Sequence, residues 1–172
     1  MITLTSQKST KGFTLVELMV TVSIIAILTA IVVANLSQAR AKSRDAKRVS
    51  DVNQIQLALT LFFDRCNSYP NIPLTSTYDA TKVSNFLAYS TGCPSGVTFS
   101  TFLSKFPTDP TSGVSYLYAV DDLTTPTDYY VGATLETSSS ALLDKVGFND
   151  GWGTSKGGFN GTAAQIYDVR SH

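Results

Sequence analysis

The pattern of apolar and polar positions predicts one long helix near the start of this chain. Residues 13–63 contain neither proline nor glycine, and their side chains are compatible with an uninterrupted helix. Residues 18–39 carry no charge, which predicts a membrane span in the first half of the helix because about 20 apolar residues cross a hydrocarbon core. Within residues 18–34 the only polar side chains are hydroxyl groups that a helix satisfies internally, those of Thr21, Ser23 and Thr29.

The second half of the predicted helix is amphipathic. Apolar residues recur there at three- and four-residue spacing, at Val49, Val52, Ile55, Leu59 and Phe62. Polar residues such as Arg48, Asp51 and Gln54 stand between them. This pattern predicts a helix that packs one apolar stripe against the sheet of the head.

A small sheet is predicted from the later part of the chain. Two segments of alternating β-formers, 114–120 and 128–136, predict strands joined by a hairpin loop at 121–127. A last strand is predicted at 164–169, after a glycine-rich loop at 147–161. The predicted fold class is therefore α+β, a long N-terminal helix packed on a small antiparallel sheet.

Turn residues separate the long helix from these strands. Residues 66–70 end the helix, and a Thr- and Ser-rich region extends from there to about Pro110. One short helix is predicted within that region, at 80–90.

Charge is distributed unevenly along a chain whose formal net charge is zero. Residues 36–65 carry six basic and three acidic groups, whereas residues 66–172 carry five basic and nine acidic groups, a net charge of −4. An acidic head argues against nucleic acid as a partner, because that binding depends on neutralised phosphates. The basic cluster at Arg40, Lys42, Arg44, Lys47 and Arg48 is interpreted as a solvated face with Asp45 and Asp51 as partners; lipid or DNA contact is the alternative.

The chain has two cysteines, Cys66 and Cys93. A disulfide between them would stabilise the head by roughly 3 to 4 kcal/mol on a loop-entropy estimate. Two free thiols are the alternative, because sequence does not give the distance between the Cα atoms.

The N-terminus begins as a secretory signal peptide does and then departs from that pattern. Lys8 and Lys11 precede the apolar run, but the run is longer than a signal core and continues directly into a helix. Glu17 lies inside the run, where a charge costs about 2.5 to 3.5 kcal/mol at mid-bilayer. An acid in this position requires a partner.

Residues 11–18, which read Lys-Gly-Phe-Thr-Leu-Val-Glu-Leu, resemble the cleavage and methylation signature of type IV pilins and type II secretion pseudopilins. The resemblance implies cleavage after Gly12 by a membrane aspartic peptidase, N-methylation of Phe13, and a requirement for Glu17 in assembly. It divides the chain into a leader peptide (1–12), a transmembrane and filament-core segment (13–36) and an extracytoplasmic head (37–172).

The chain departs from the family pattern at two helix positions. Many members have glycine where Ala26 stands and proline where Ala34 stands. Alanine retains the backbone donor that proline lacks, so we predict an unbroken helix through this region.

Cleavage would leave a positive α-amine on Phe13, one helical turn before Glu17. The carboxylate would neutralise that amine, or the amine of a neighbouring copy, and so set the register of stacked helices. Snorkelling of Glu17 to the inner interface is the alternative.

No catalytic constellation is apparent. The single histidine, His172, ends the sequence, so no enzyme activity and no cofactor are predicted. Residues 149–151, Asn-Asp-Gly, resemble the start of a calcium loop, and major pseudopilins have a C-terminal calcium site. No further carboxylate follows until Asp168. We therefore predict no metal site, with calcium binding as the alternative.

The function that the resemblance implies is that of a structural subunit, inserted as a single-span precursor in the inner membrane and polymerised into a periplasmic or extracellular filament. Its expected partners are copies of itself, the prepilin peptidase and methyltransferase, an inner-membrane assembly platform and membrane lipid. The long helix followed by a small sheet resembles the major pseudopilin of type II secretion more than an adhesive pilus subunit. The alternative is a membrane-anchored binding module that does not polymerise, such as a DNA-uptake pseudopilin, for which the acidic head is unfavourable.

Overall fold

The longest element, α1, is a single α-helix, Leu15–Cys66, of 52 residues. It confirms the helix predicted at 13–63, begins two residues later and ends three residues later, and it is unbroken at Ala34. Its end is fixed by Asn67, which has a φ of 53° and whose backbone N–H donates to the carbonyl of Phe63 at 2.8 Å. A residue in the left-handed conformation at this position is a common helix stop, and asparagine tolerates it better than most side chains.

This computed structural model describes residues 12–75, 77–138 and 165–171. The chain divides into two compact units, Met1–Arg40 and Ala41–His172. The glycine-rich loop predicted at 147–161 and the start of the strand predicted at 164 lie outside the described residues.

Within the second unit, α1 supplies one side of the core. Val52, Ile55, Leu59 and Phe62 are fully buried, and Val49 packs against them while remaining partly exposed. These residues recur every three or four positions, which confirms the predicted apolar stripe.

A three-stranded antiparallel sheet lies in the same unit. Its strands are β1 (Leu117–Val120), β2 (Tyr129–Thr134) and β3 (Ile166–Arg170), in the spatial order β1-β2-β3. Leu117 pairs with Gly132, and Val131 pairs with Val169. The hairpin loop predicted between the first two strands is present.

The first strand is shorter than the predicted segment 114–120. Val114 forms only an isolated bridge with Thr77, and a second bridge joins Leu74 to Tyr118. The backbone N–H of each of Leu74 and Tyr118 donates to the other's carbonyl at 3.0 Å, so a short extended segment covers the outer edge of β1.

Both faces of the sheet are buried at its centre. Tyr118 and Val131 belong to the main core, while Leu117, Ala119 and Tyr130, which alternate with core residues, are also buried. The alternating residues of 114–120 therefore point to two opposite faces of the sheet, and both faces are buried. An apolar run without charged residues is typical of a strand covered on both sides.

Aromatic side chains fill the core between these elements. The predicted short helix is present as α2, Ala80–Leu87, and Asp79 caps its N-terminus by accepting from the backbone N–H of Thr81. Phe86 from α2 meets Tyr118 with ring centroids 4.8 Å apart. A 3₁₀ turn that the sequence analysis did not predict, Phe99–Thr101, adds Phe99 to the same cluster.

Candidate functional site

The first candidate site is the junction between the N-terminal residues and α1. Residues 12–14 precede the helix, have no regular secondary structure and are exposed. The side chain of Phe13 is 93% exposed. The peptide bond between Gly12 and Phe13 is therefore accessible, and Gly12 has no Cβ to hinder an extended backbone in a protease cleft.

Thr14 and Glu17 form a reciprocal capping box at the start of α1. The Glu17 carboxylate accepts hydrogen bonds from the backbone N–H and from the hydroxyl of Thr14, both at 2.9 Å. The backbone N–H of Glu17 donates to the Thr14 hydroxyl oxygen at 3.2 Å. Two backbone donors that a helix start leaves without partners are thereby satisfied.

Glu17 thus contacts Thr14, a residue that the sequence patterns discussed above did not single out. Threonine followed three positions later by glutamate, before an apolar run, is a helix-start signal that could have identified it.

Beyond the junction, the apolar side chains of α1 are exposed. From Leu15 to Leu36, the large hydrophobic residues are 46 to 73% exposed. The hydroxyl groups of Thr21, Ser23 and Thr29 donate to backbone carbonyls three or four residues earlier, at 2.7 to 2.9 Å. No polar side chain in residues 18–34 is therefore left to oppose burial in lipid.

Among the described residues, α1 is the one helix whose length and apolar composition suffice to cross a bilayer, with a mean hydropathy of 2.6 over its most apolar window. Residues 7–33 match the family model described as the prokaryotic N-terminal methylation motif. The chain carries the prepilin-type segment of type IV pilin-like proteins. No curated protein and no solved structure matched the chain.

A disulfide lies at the C-terminal end of α1. Cys66, the last residue of α1, is bonded to Cys93, with the two Cα atoms 4.1 Å apart. Gly92 sits directly beside it with a φ of 79°, and a Cβ at that position would lie 2.5 Å from the carbonyl oxygen of Cys66. Only glycine fits at position 92 without displacing the backbone.

The basic cluster on α1 differs from its sequence interpretation. Arg48 is only 2% exposed, and Asp45 and Asp51 are also buried, so the prediction of a solvated face is wrong for these three residues. Asp45 does bind Arg48, and Asp51 does bind Lys47, as that interpretation expected.

Arg48 uses all five of its N–H groups. They donate to Asp109 (2.7 and 2.9 Å), Asp45 (2.8 Å), Glu136 (2.8 Å) and the Thr111 hydroxyl (2.9 Å). A guanidinium group has five donors, so Arg48 has none left for a ligand. Arg48 therefore joins α1 to Asp109 and Glu136 in later parts of the chain, and it does not itself bind an external anion.

The carboxylates around Arg48 are held in their charged form. Hydrogen bonds from the Arg44 side chain, supported by those from Arg48, lower the pKa of Glu136 to about 2. Burial alone would raise the pKa of Asp109, but hydrogen bonds from Arg48 and Thr111 lower it overall. The pKa of Asp45 is lowered in the same way, against its burial, by donors from Glu136 and Thr137.

The buried position of Arg48 could have been read from the helical spacing. Arg48, Val52, Ile55 and Leu59 follow one another at intervals of four, three and four residues, so Arg48 continues the apolar stripe. Its partners Asp109 and Glu136 lie 61 and 88 residues away, beyond any local pattern.

The described residues contain no group of three or more histidine, cysteine or acidic residues arranged to hold a metal ion. The calcium-like residues 149–151 and His172 lie outside the described part of the chain.

Proposed function

We propose that this chain is the precursor of a structural subunit in a type IV pilus-like or type II secretion pseudopilus filament. A prepilin peptidase removes residues 1–12, Phe13 is N-methylated, and residues 13–36 anchor the precursor in the inner membrane. An assembly platform then moves the subunit into a filament in which copies pack through α1, with the head outside the cytoplasm.

One observation carries this proposal. The methylation motif at residues 7–33 coincides with the start of a helix whose large apolar side chains are exposed from Leu15 to Leu36. Side chains of this kind need an apolar surrounding, which lipid supplies before assembly and neighbouring helices supply afterwards. Because lipid tails and helix surfaces are similarly apolar, the transfer between them costs little hydrophobic free energy.

The outward face of α1 within the second unit supports self-association. Leu57 and Leu61, one turn apart, are 62 and 46% exposed, although the opposite face of the same helix is fully buried. The exposed residues of α1 from 49 to 63 carry no charge. Leu57 and Leu61 form a small apolar patch on an otherwise polar, uncharged face, and such a patch is suited to contact with an apolar patch of a neighbouring copy.

Processing is tested by mass spectrometry of the N-terminus of protein purified from a host with a prepilin peptidase. The expected mature chain begins at Phe13 and carries one additional methyl group. Gly12→Val should block cleavage because the β-branched side chain hinders the extended backbone, whereas Ser6→Val, elsewhere in the leader, should not. An intact N-terminus in the wild-type protein contradicts the proposal.

Assembly is tested separately from processing. Cysteines placed at positions 24 and 27 should form crosslinks between copies while the assembly apparatus is active. A processed protein that stays monomeric in the membrane would instead favour the anchored binding module.

A further inference from the structure

The basic residues that follow the membrane segment pose a problem of topology. In the proposed orientation, five of them lie on the outer side of the inner membrane, although basic residues usually collect on the cytoplasmic side. The structure divides these five residues into two groups.

Three of the five are committed to ion pairs within the second unit. Arg44 pairs with Glu136, and Lys47 pairs with Asp51. Arg48 is buried among Asp45, Asp109 and Glu136. Their charge is neutralised by the protein itself.

The other two, Arg40 and Lys42, are exposed. Neither has a hydrogen bond, ion pair or ring contact anywhere in the described chain. They are also the first charged residues after the apolar segment.

We propose that Arg40 and Lys42 bind anionic lipid headgroups at the outer surface of the inner membrane while the subunit awaits assembly. This inference rests on the proposed membrane insertion. Leu36 is the last large apolar residue of the segment, and Arg40 and Lys42 follow it by four and six residues, or about 6 to 9 Å of helix. The headgroup layer is roughly 5 to 8 Å deep on each side of the hydrocarbon core, so both cations reach the level of the phosphates.

Two residues apart on a helix, these side chains project in nearly opposite directions. They therefore meet separate lipid molecules and do not form one stereospecific pocket. The interaction should depend on headgroup charge and weaken as salt increases.

The acidic head of a second copy is the competing partner. Within residues 66–172, the described part of the chain contains seven carboxylates, and each already has an interaction within its own chain: Asp79, Asp109, Asp121, Asp122, Asp128, Glu136 and Asp168. On α1, Asp45 and Asp51 are also paired, so the exposed Asp64 is the described carboxylate left to compete with lipid. Lipid phosphates surround the two cations at high density, and they can bind without first breaking an interaction within a protein chain. The observations therefore favour lipid.

The test places the full-length chain in nanodiscs of phosphatidylcholine that contain a minor fraction of phosphatidylglycerol. Electron paramagnetic resonance of spin-labelled lipids measures the preference of the protein for phosphatidylglycerol over phosphatidylcholine. Arg40→Gln with Lys42→Gln should reduce this preference by about fivefold per cation removed, on the scale of juxtamembrane basic residues. The matched control is Arg65→Gln with Lys105→Gln, two exposed cations away from the membrane segment, which should leave the preference unchanged.

Three results would overturn the inference: a wild-type protein without preference, a control pair as damaging as the test pair, or carboxyl-to-amine crosslinks from Lys42 to a second copy in the nanodisc. Co-elution with the nanodisc and protease protection of residues 18–34 show independently whether the chain is inserted. An inserted chain without lipid preference contradicts this inference alone, whereas a chain that does not insert contradicts the proposed function as well.

Discussion

The carboxylate of Glu17 accepts two hydrogen bonds from Thr14, and the hydroxyl of Thr14 accepts one in return. This pairing gives Glu17 a role in starting α1 that is separable from its charge. After the proposed cleavage, the same carboxylate would lie one turn from the new α-amine of Phe13, so the two roles would compete for one side chain.

Three variants separate these roles in a filament assay. If the charge of Glu17 pairs with an α-amine, Glu17→Gln and Glu17→Leu should both reduce filament yield to a small fraction of wild type. Thr14→Ala, which removes the capping hydroxyl but keeps the charge, should assemble nearly normally. Sheared filaments are quantified by immunoblot against equal amounts of membrane-bound subunit.

The opposite ranking would identify the cap as the essential function. Glutamine can replace glutamate in a capping box. Normal assembly by Glu17→Gln together with failure of Thr14→Ala would therefore contradict a charge-based register.

Removal of Arg48 should destabilise the head strongly. Arg48→Met keeps much of the side-chain volume but leaves buried Asp45 and Asp109 without their cation, for an expected loss of about 3 to 5 kcal/mol in the free energy of unfolding. Arg48→Lys should recover little of this stability, because an ammonium group cannot reproduce the bidentate contact with Asp109.

Urea unfolding of the full-length protein in detergent measures this loss. The exposed Arg65→Met is the control and should change stability by less than about 0.5 kcal/mol. A similarly small change for Arg48→Met would mean that the ion pairs of Arg48 do not stabilise the fold.

Acid should weaken the same cluster. The pKa of Glu136 is lowered from 4.5 to about 2 by hydrogen bonds from Arg44 and Arg48. A carboxylate with a lower pKa in the folded state stabilises the fold above its unfolded pKa, and this contribution disappears as the pH falls through the folded value.

Stability should therefore decline as the pH falls from about 4.5 towards 2, and Asp45 and Asp109 should add to the decline because their pKa values are also lowered. Urea unfolding at stepped pH measures it. Glu136→Gln should be less stable at neutral pH and should show a shallower acid dependence, whereas an unchanged slope would contradict this assignment.

Gly92 should tolerate no side chain beside the disulfide. Gly92→Ala combines a left-handed backbone with a Cβ placed 2.5 Å from the Cys66 carbonyl oxygen. Gly96 has a similar φ of 82° but open space around it, so Gly96→Ala isolates the backbone cost.

We expect a loss of about 1 to 2 kcal/mol for Gly96→Ala. Steric overlap should add roughly 1 to 3 kcal/mol for Gly92→Ala. Thermal unfolding of both variants provides the comparison, and equal losses would show that the contact with Cys66 is unimportant.

Leu57 and Leu61 should matter for assembly and not for folding. Leu57→Ser with Leu61→Ser should change the stability of the subunit by little, since both side chains are exposed, but should reduce filament yield. Leu59→Ser, on the buried face of the same helix, should instead destabilise the head and lower subunit levels. Filaments at wild-type yield from the double variant would show that this face contacts no neighbour.

Local sequence patterns predicted the helices and strands well, because the residue types and spacings that form these elements lie close together in the chain. The absence of proline and glycine from residues 13–63 gave α1 to within three residues at each end. The alternation at Tyr129, Val131 and Ala133 gave β2 and its core-facing side.

The contacts that hold the head together were less predictable, because they join distant parts of the chain. Nothing near Arg48 indicates that Asp109 and Glu136 will meet it, and charge alone suggested a solvated residue. The second buried face of the sheet was missed for a similar reason, since burial of Ala119 and Tyr130 depends on what covers them. The Thr14 cap, by contrast, was available in the sequence.

The bridges at Leu74 and Thr77 have a consequence for how copies of this chain can join. An open sheet edge is a template for strand addition, which leads to uncontrolled aggregation. At the outer edge of β1, the backbone N–H and carbonyl of Tyr118 are already hydrogen-bonded to Leu74. These two groups are therefore not available to an incoming strand. If copies of this chain assemble as proposed, this edge is protected from amyloid-like strand addition, and contacts between copies are left to the helix.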